Sequence, residues 1–239
     1  MKYIQQVGWF FVLVSALLLA LSLSWFGQAA AHYGFDYWYE FYDIDNHIER
    51  YGPQNRYIRG LDSLDKAEHV RLFNAISEAV HDHGEGLQAI TFAYRGKTRV
   101  LLRKPEVVHL QDVANLIDVL RLASGVFALV AIGGTWWLRR QRPRWGVQGA
   151  LLGGLLGLTL VSVLLIGPKQ VFYHLHKMIF PPDHAWFFYY QDSLMATLMK
   201  APDLFGGIAV TITAGGLLLF GFYLVLLIRW QQHQTGGKG

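Results

Sequence analysis

The apolar positions of this chain gather into four long blocks: Val7 to Phe26, Leu122 to Leu138, Val147 to Ile166 and Gly206 to Ile228. A helix needs roughly 20 apolar residues to cross the hydrocarbon core of a bilayer, so each block is expected to span. The second block is the shortest, with Asp118 and Arg121 on its flank. It is long enough if its helix begins at Pro105, where proline suits the first turn and Glu106 suits the helix dipole. The first block follows Lys2 and precedes Ala29-Ala30-Ala31, as a signal peptide would. Its apolar run exceeds the usual ~7–15 residues of such a peptide, so an uncleaved anchor is expected.

The polar intervals carry shorter periods. Residues 62–83 predict a helix, with Asp62 or Ser63 as the cap, Val70, Phe73, Ile76 and Val80 on one face, and Gly84 at the stop. Gln88 to Tyr94 and Thr98 to Leu102 predict a hairpin turning at Arg95-Gly96-Lys97. A lone hairpin is marginal, so it should lean on the helix or on the membrane face. Residues 32–60 are crowded with aromatic rings, which suit either the headgroup layer or the packing of a small domain. Gly149, Gly153 and Gly157 recur at a spacing that lets membrane helices approach closely.

The expected organisation is a mainly α membrane protein of four transmembrane helices, with a small α+β extracytoplasmic cap and an interfacial aromatic segment. Residues 1–27 form the first transmembrane helix, 28–104 the cap, and 105–138 a helix entering the second span. A basic loop (139–146) leads to the third span (147–167). The interfacial segment (168–205), the fourth span (206–228) and a tail (229–239) follow.

Composition alone says little. The chain is 53% hydrophobic, close to an ordinary globular protein, so the arrangement of apolar residues carries the signal. Charge sets the topology. The loop Arg139-Arg140-Gln141-Arg142-Pro143-Arg144 has four arginines and no acid, which marks the cytoplasmic side. Both termini, with Lys2 at one end and Arg229 and Lys238 at the other, then lie inside, and residues 28–104 and 168–205 face outward. Acids outnumber bases in the first of these, so the basic pI reflects topology and gives no nucleic-acid surface. The chain has no cysteine, which excludes disulfides and thiolate chemistry. No cofactor is expected.

Candidate chemistry centres on His109. It opens the helix that leads into the second span, and shares a stripe with Val113, Leu116 and Leu120 while Asp112 borders it. A polar ring on such a stripe at a membrane edge is a functional candidate. The second candidate region is Phe172 to Leu194, too polar to span and too apolar for a free loop. Phe172, His176, Ile179 and Asp183 share a helical side there, and Pro181-Pro182 should end that helix before Trp186. His174-Leu175-His176 with Asp183 and His184 would also serve as metal ligands, a weaker reading because His-x-His recurs by chance. His81-Asp82-His83 reads as a solvated helix end. His32, His47, His69 and His233 show no partner pattern.

At these residues the chain resembles the lipoprotein intramolecular transacylases, a family of four-span bacterial membrane proteins. The likeness covers the order of elements along nearly the whole chain. One motif is His-x-x-Asp-Val, here His109-Leu110-Gln111-Asp112-Val113. The other is a histidine, an aromatic pair, an Asp-x-Trp element, a second Asp and a Pro-acid-x-Phe element. Here these fall on His176, Ile179-Phe180, Asp183 with Trp186, Asp192, and Pro202-Asp203-Leu204-Phe205. Ile179 replaces the first aromatic, the Asp183–Trp186 gap is one residue longer, and Tyr189-Tyr190-Gln191 replaces a more polar turn. His174 rivals His176 for the family histidine.

The resemblance implies an acyltransferase acting on a diacylglyceryl lipoprotein within the membrane lipid of the bacterial cytoplasmic membrane. The sn-2 acyl chain moves to the α-amino group of the N-terminal cysteine. His109 and His176 would carry the chemistry, with Asp112 as orienter; which imidazole is base and which is acid stays open. Tyr173, His174, Asp183, Trp186 and Asp192 would line the substrate site, and Tyr173 or Tyr190 are candidate oxyanion donors. Two other readings remain: a lipid- or lipoprotein-binding envelope protein without catalysis, and a metal-dependent hydrolase using His109, His174 or His176, and Asp183. A transporter fits less well, because the spans hold few central polar groups beyond Ser162, Thr211 and Thr213.

Overall fold

Each apolar block becomes part of a helix, and all four helices begin before the first residue of their block. The computed structural model describes residues 2–236; Lys238 and the rest of the Gly-Gly-Lys-Gly tail beyond Gly236 lie outside the described residues. Among the described residues four helices are long and apolar enough to cross a membrane. They are α1 (Lys2–Ala29), α5 (Lys104–Trp137), α6 (Trp145–Ile166) and α9 (Asp203–Gly236). Between α1 and α5 come α2 (Phe35–Phe41), α3 (Ile44–Tyr51), α4 (Lys66–His81) and the strands β1 (Thr91–Tyr94) and β2 (Lys97–Val100). Between α6 and α9 come α7 (Pro168–Ile179) and the short α8 (Leu194–Leu198). The described residues are thus mainly α, with one two-stranded antiparallel sheet.

The chain divides into two units. One comprises Met1–Trp25, Leu120–His176 and Ile212–Gly239, the other Phe26–Val119 and Lys177–Thr211. In the first unit, Trp9, Leu13 and Ala16 of α1 pack with Ala131 of α5, Leu138 just after it, Leu152 of α6, and Phe220 and Leu227 of α9. Glycine allows the close approaches. A Cβ on Gly216 would meet the Cα of Leu21 at 2.9 Å, and one on Gly134 would meet Val12. Gly149, Gly153 and Gly157 of α6 were expected to make such contacts. A Cβ on any of them meets nothing within 4 Å among the described residues. The reason is visible in burial: Gln148 and Leu152 are the buried residues of α6, so α6 touches its neighbours near one end and leaves its glycines open.

In the second unit, residues 32–60 are packed as a small domain. Phe35 stacks on Phe73 of α4 with ring centroids 4.0 Å apart. Trp38, Tyr39, Ile44 and Ile48 are buried, while Tyr37 and Phe41 stay exposed. The cap of α4 is Asp65, whose side chain accepts from the Glu68 amide at 2.8 Å. Asp62 and Ser63, the expected caps, belong instead to a 3-10 turn over Leu61–Ser63. The hairpin turns at Arg95-Gly96, with Lys97 already paired to Tyr94. Arg71 of α4 donates to the Thr91 carbonyl at 2.6 Å, which ties the hairpin to the helix as its marginal stability requires.

Candidate functional site

The helix α5 opens with buried polar groups. Pro105 sits in its first turn, and Glu106, fully buried, accepts the Arg103 amide at 2.7 Å and pairs with the Arg103 guanidinium at 3.3 Å. It also accepts the hydroxyl of Ser193. Ser193 in turn caps α8 by accepting the Ala196 amide at 2.9 Å. A buried carboxylate is tolerable only with several donors on it, and here those donors bind residue 193 to the start of α5. The most buried face of the helix runs through Glu106, Leu110, Ala114 and Ile117, one position away from the stripe of Val113, Leu116 and Leu120 read from the sequence. His109 belongs to the buried face.

His109 is 8% exposed, and its neighbours are aromatic. The ring of Phe180 stands edge-on at 5.0 Å between centroids, and that of Phe188 is tilted at 6.0 Å. Asp112, one turn further along α5, accepts a 2.7 Å hydrogen bond from Nδ1 of His184. A carboxylate only accepts, so Nδ1 of His184 carries the proton. Asp112 was expected to orient His109; the imidazole it holds is that of His184. The hydrogen bond to Asp112, with the charges of Asp112 and Asp183, pushes the His184 pKa above its ordinary value against a smaller effect of desolvation.

His176 belongs to the other unit. Its Nδ1 donates to the Phe172 carbonyl at 2.9 Å, one turn back on α7, and its ring lies 3.9 Å from that of Phe172. Burial lowers its pKa. His174, exposed, makes the same kind of bond to Gln170 at 2.7 Å, and Lys169 lies over the Tyr173 ring. The helix ends at Ile179, before Pro181-Pro182, so Asp183 is not on it.

Asp183 is exposed, and Trp186 is half-buried with its ring against Phe187. Asp192 takes a two-pronged ion pair from Arg56 at 2.7 and 2.8 Å. Tyr190 donates its hydroxyl to the Ala201 carbonyl, so that proton is committed away from an oxyanion. Among the described residues no group of three His, Asp or Glu side chains is placed to hold a metal ion.

Sequence reasoning sees His184 only as a member of a metal-ligand set and Glu106 only as a partner of the helix dipole. The pairings that give them their positions join residues 72 and 87 apart. No local spacing reports such a pairing.

The family model described as lipoprotein intramolecular transacylase Lit matches residues 8–201. Among solved structures the chain is similar to the membrane integral lipoprotein intramolecular transacylase Lit from Bacillus cereus. The TM-score is 0.65 at 15% identity, covering 98% of this chain and 100% of that one. Two variants of the same Bacillus cereus protein, each with one histidine replaced, match with TM-scores of 0.60 and 0.62 at 17% and 16% identity, with 95% or more of both chains covered. No curated protein matches the sequence.

Proposed function

The chain belongs to the lipoprotein intramolecular transacylase family, and from that premise we propose that it moves the sn-2 acyl chain of a diacylglyceryl lipoprotein to the α-amino group of the same lipoprotein's N-terminal cysteine. The product is a lyso-form lipoprotein. The observation that carries this reading is an imidazole, His109, set among the rings of Phe180 and Phe188 at the first turns of a membrane helix. That is a site where an ester and an amine would meet out of bulk water, which favours aminolysis over hydrolysis.

The α-amine has an ordinary pKa near 7.7–8.0, so about a tenth of it is neutral at pH 7. On attack it must lose a proton, and an imidazole is a matched base for that step. Nucleophile and ester sit in one molecule, so holding them together contributes up to roughly 7–11 kcal/mol in well-aligned cases. His109 is proposed as the base. The resemblance gives His176 a second role. With its Nδ1–H on the Phe172 carbonyl, a neutral His176 offers a lone pair at Nε2 and no second N–H.

The arginine loop after α5 supports a reading in which both termini are cytoplasmic and the site is on the extracytoplasmic face of the inner membrane, where lipoproteins carry their lipid. Mass spectrometry of lipoprotein N-termini from cells making this protein tests the reading. The wild-type chain should yield lyso-form peptides, and His109→Ala should lower their yield by roughly 10²–10⁴-fold. Undiminished product from an inserted His109→Ala protein would remove His109 from the mechanism.

A further inference from the structure

Acyl transfer needs two proton movements. One proton leaves the attacking nitrogen, and another must reach the glyceryl oxygen as its bond to the acyl carbon breaks. His109 answers the first requirement. His176, its Nδ1–H held by the Phe172 carbonyl and its pKa lowered by burial, is poorly suited to the second.

One segment brings a donor to the same place. Phe180 and Phe188 both lie against His109, with ring centroids at 5.0 and 6.0 Å. His184 sits midway between them in the chain and bonds to Asp112, one turn past His109 on α5, at 2.7 Å. A single stretch therefore supplies the aromatic surroundings of His109 and delivers an imidazole to the next turn of its helix. The side chain of Asp112 is 14% exposed and that of His184 34%. The pair is fixed at its carboxylate end and open at its imidazole end. With Nδ1–H spent on Asp112, the second N–H of the charged ring is at Nε2.

We infer that His184, held by Asp112, is the general acid that protonates the departing sn-2 oxygen, while His109 takes the proton of the amine. This rests on the transacylase reading. In the step, the N–C bond forms as the acyl C–O bond breaks. The amine proton passes to His109, and the Nε2 proton of His184 passes to the glyceryl oxygen to give a hydroxyl. Exchange with solvent then returns a proton from His109 to His184. The charged groups acting on His184 are Asp112 on α5 and Asp183 beside it. The two carboxylates hold the imidazolium charged above its ordinary range, as an acid working near neutrality requires.

The test uses full-length protein in liposomes with a synthetic diacylglyceryl lipopeptide, following lyso product by mass spectrometry across pH. His184→Gln should lose roughly 10²–10⁴-fold in rate. Asp112→Asn removes the main cause of the raised pKa, so its alkaline limb should move to lower pH while activity at low pH persists. A His184→Gln protein that turns over at the wild-type rate overturns the inference. So does an Asp112→Asn protein whose alkaline limb stays in place, because a purely structural strap would lose rate without moving the limb. No product from wild type at any pH would instead defeat the transacylase reading itself.

Discussion

The first turns of α5 and the body of α6 handle polarity in opposite ways. At the start of α5 the buried groups are polar: Glu106 is fully buried, and His109 nearly so. Along α6 it is the apolar residues that are exposed, including Leu158 at 68% and Leu165 at 83%. Lipid accepts a leucine at no cost, so α6 can leave most of its length uncovered. A carboxylate needs donors wherever water is scarce, so the start of α5 must be enclosed by chain brought from far away. In this protein, buried polarity marks the constructed region and exposed apolarity marks the lipid-facing one.

That contrast can be broken most severely at Glu106. Glu106→Ala leaves the Ser193 hydroxyl, the Arg103 amide and the Arg103 guanidinium without their shared acceptor. Loss of one member of such a buried pair costs roughly 3–5 kcal/mol, which should appear as a lower thermal midpoint in detergent micelles. A smaller effect is expected at Gly216. Gly216→Leu drives a side chain into Leu21, whose Cα is 2.9 Å from the first added carbon, and overpacking of this kind costs about 1–3 kcal/mol. The same substitution on α6 gives the sharpest control. Gly153→Leu meets open space, so the midpoint should move by less than about 0.5 kcal/mol equivalent. A large loss there would mean that α6 has a packed partner.

The sequence reads well where one interaction dominates. Four apolar blocks lead to four apolar helices because length and hydropathy alone decide spanning. The hairpin and α4 are legible because turn residues and a helical period act locally. The cap of α4 is not legible because aspartate or serine at 62, 63 and 65 are comparable acceptors, and residues 62 and 63 are taken up in the 3-10 turn while Asp65 starts the helix. The glycines of α6 misled because small-residue spacing permits close approach without causing it. His109 was legible from its place at a membrane-edge helix start. The partner of Asp112 was not, because Asp112 and His184 are 72 residues apart and periodicity carries no information over that distance.

The long separations also set an order of events. The stretch from Phe180 to Ser193 is attached to earlier parts of the chain by His184 on Asp112, Asp192 on Arg56 and Ser193 on Glu106, across 72, 136 and 87 residues. Contacts between such distant residues form late. A nascent chain that has emerged only as far as α6 already carries His109, but neither the aromatic rings around it nor the imidazole on Asp112. Its acid–base groups are assembled only once residues beyond 180 have been synthesised, so the ribosome's progress along the message sets the earliest moment at which the site exists.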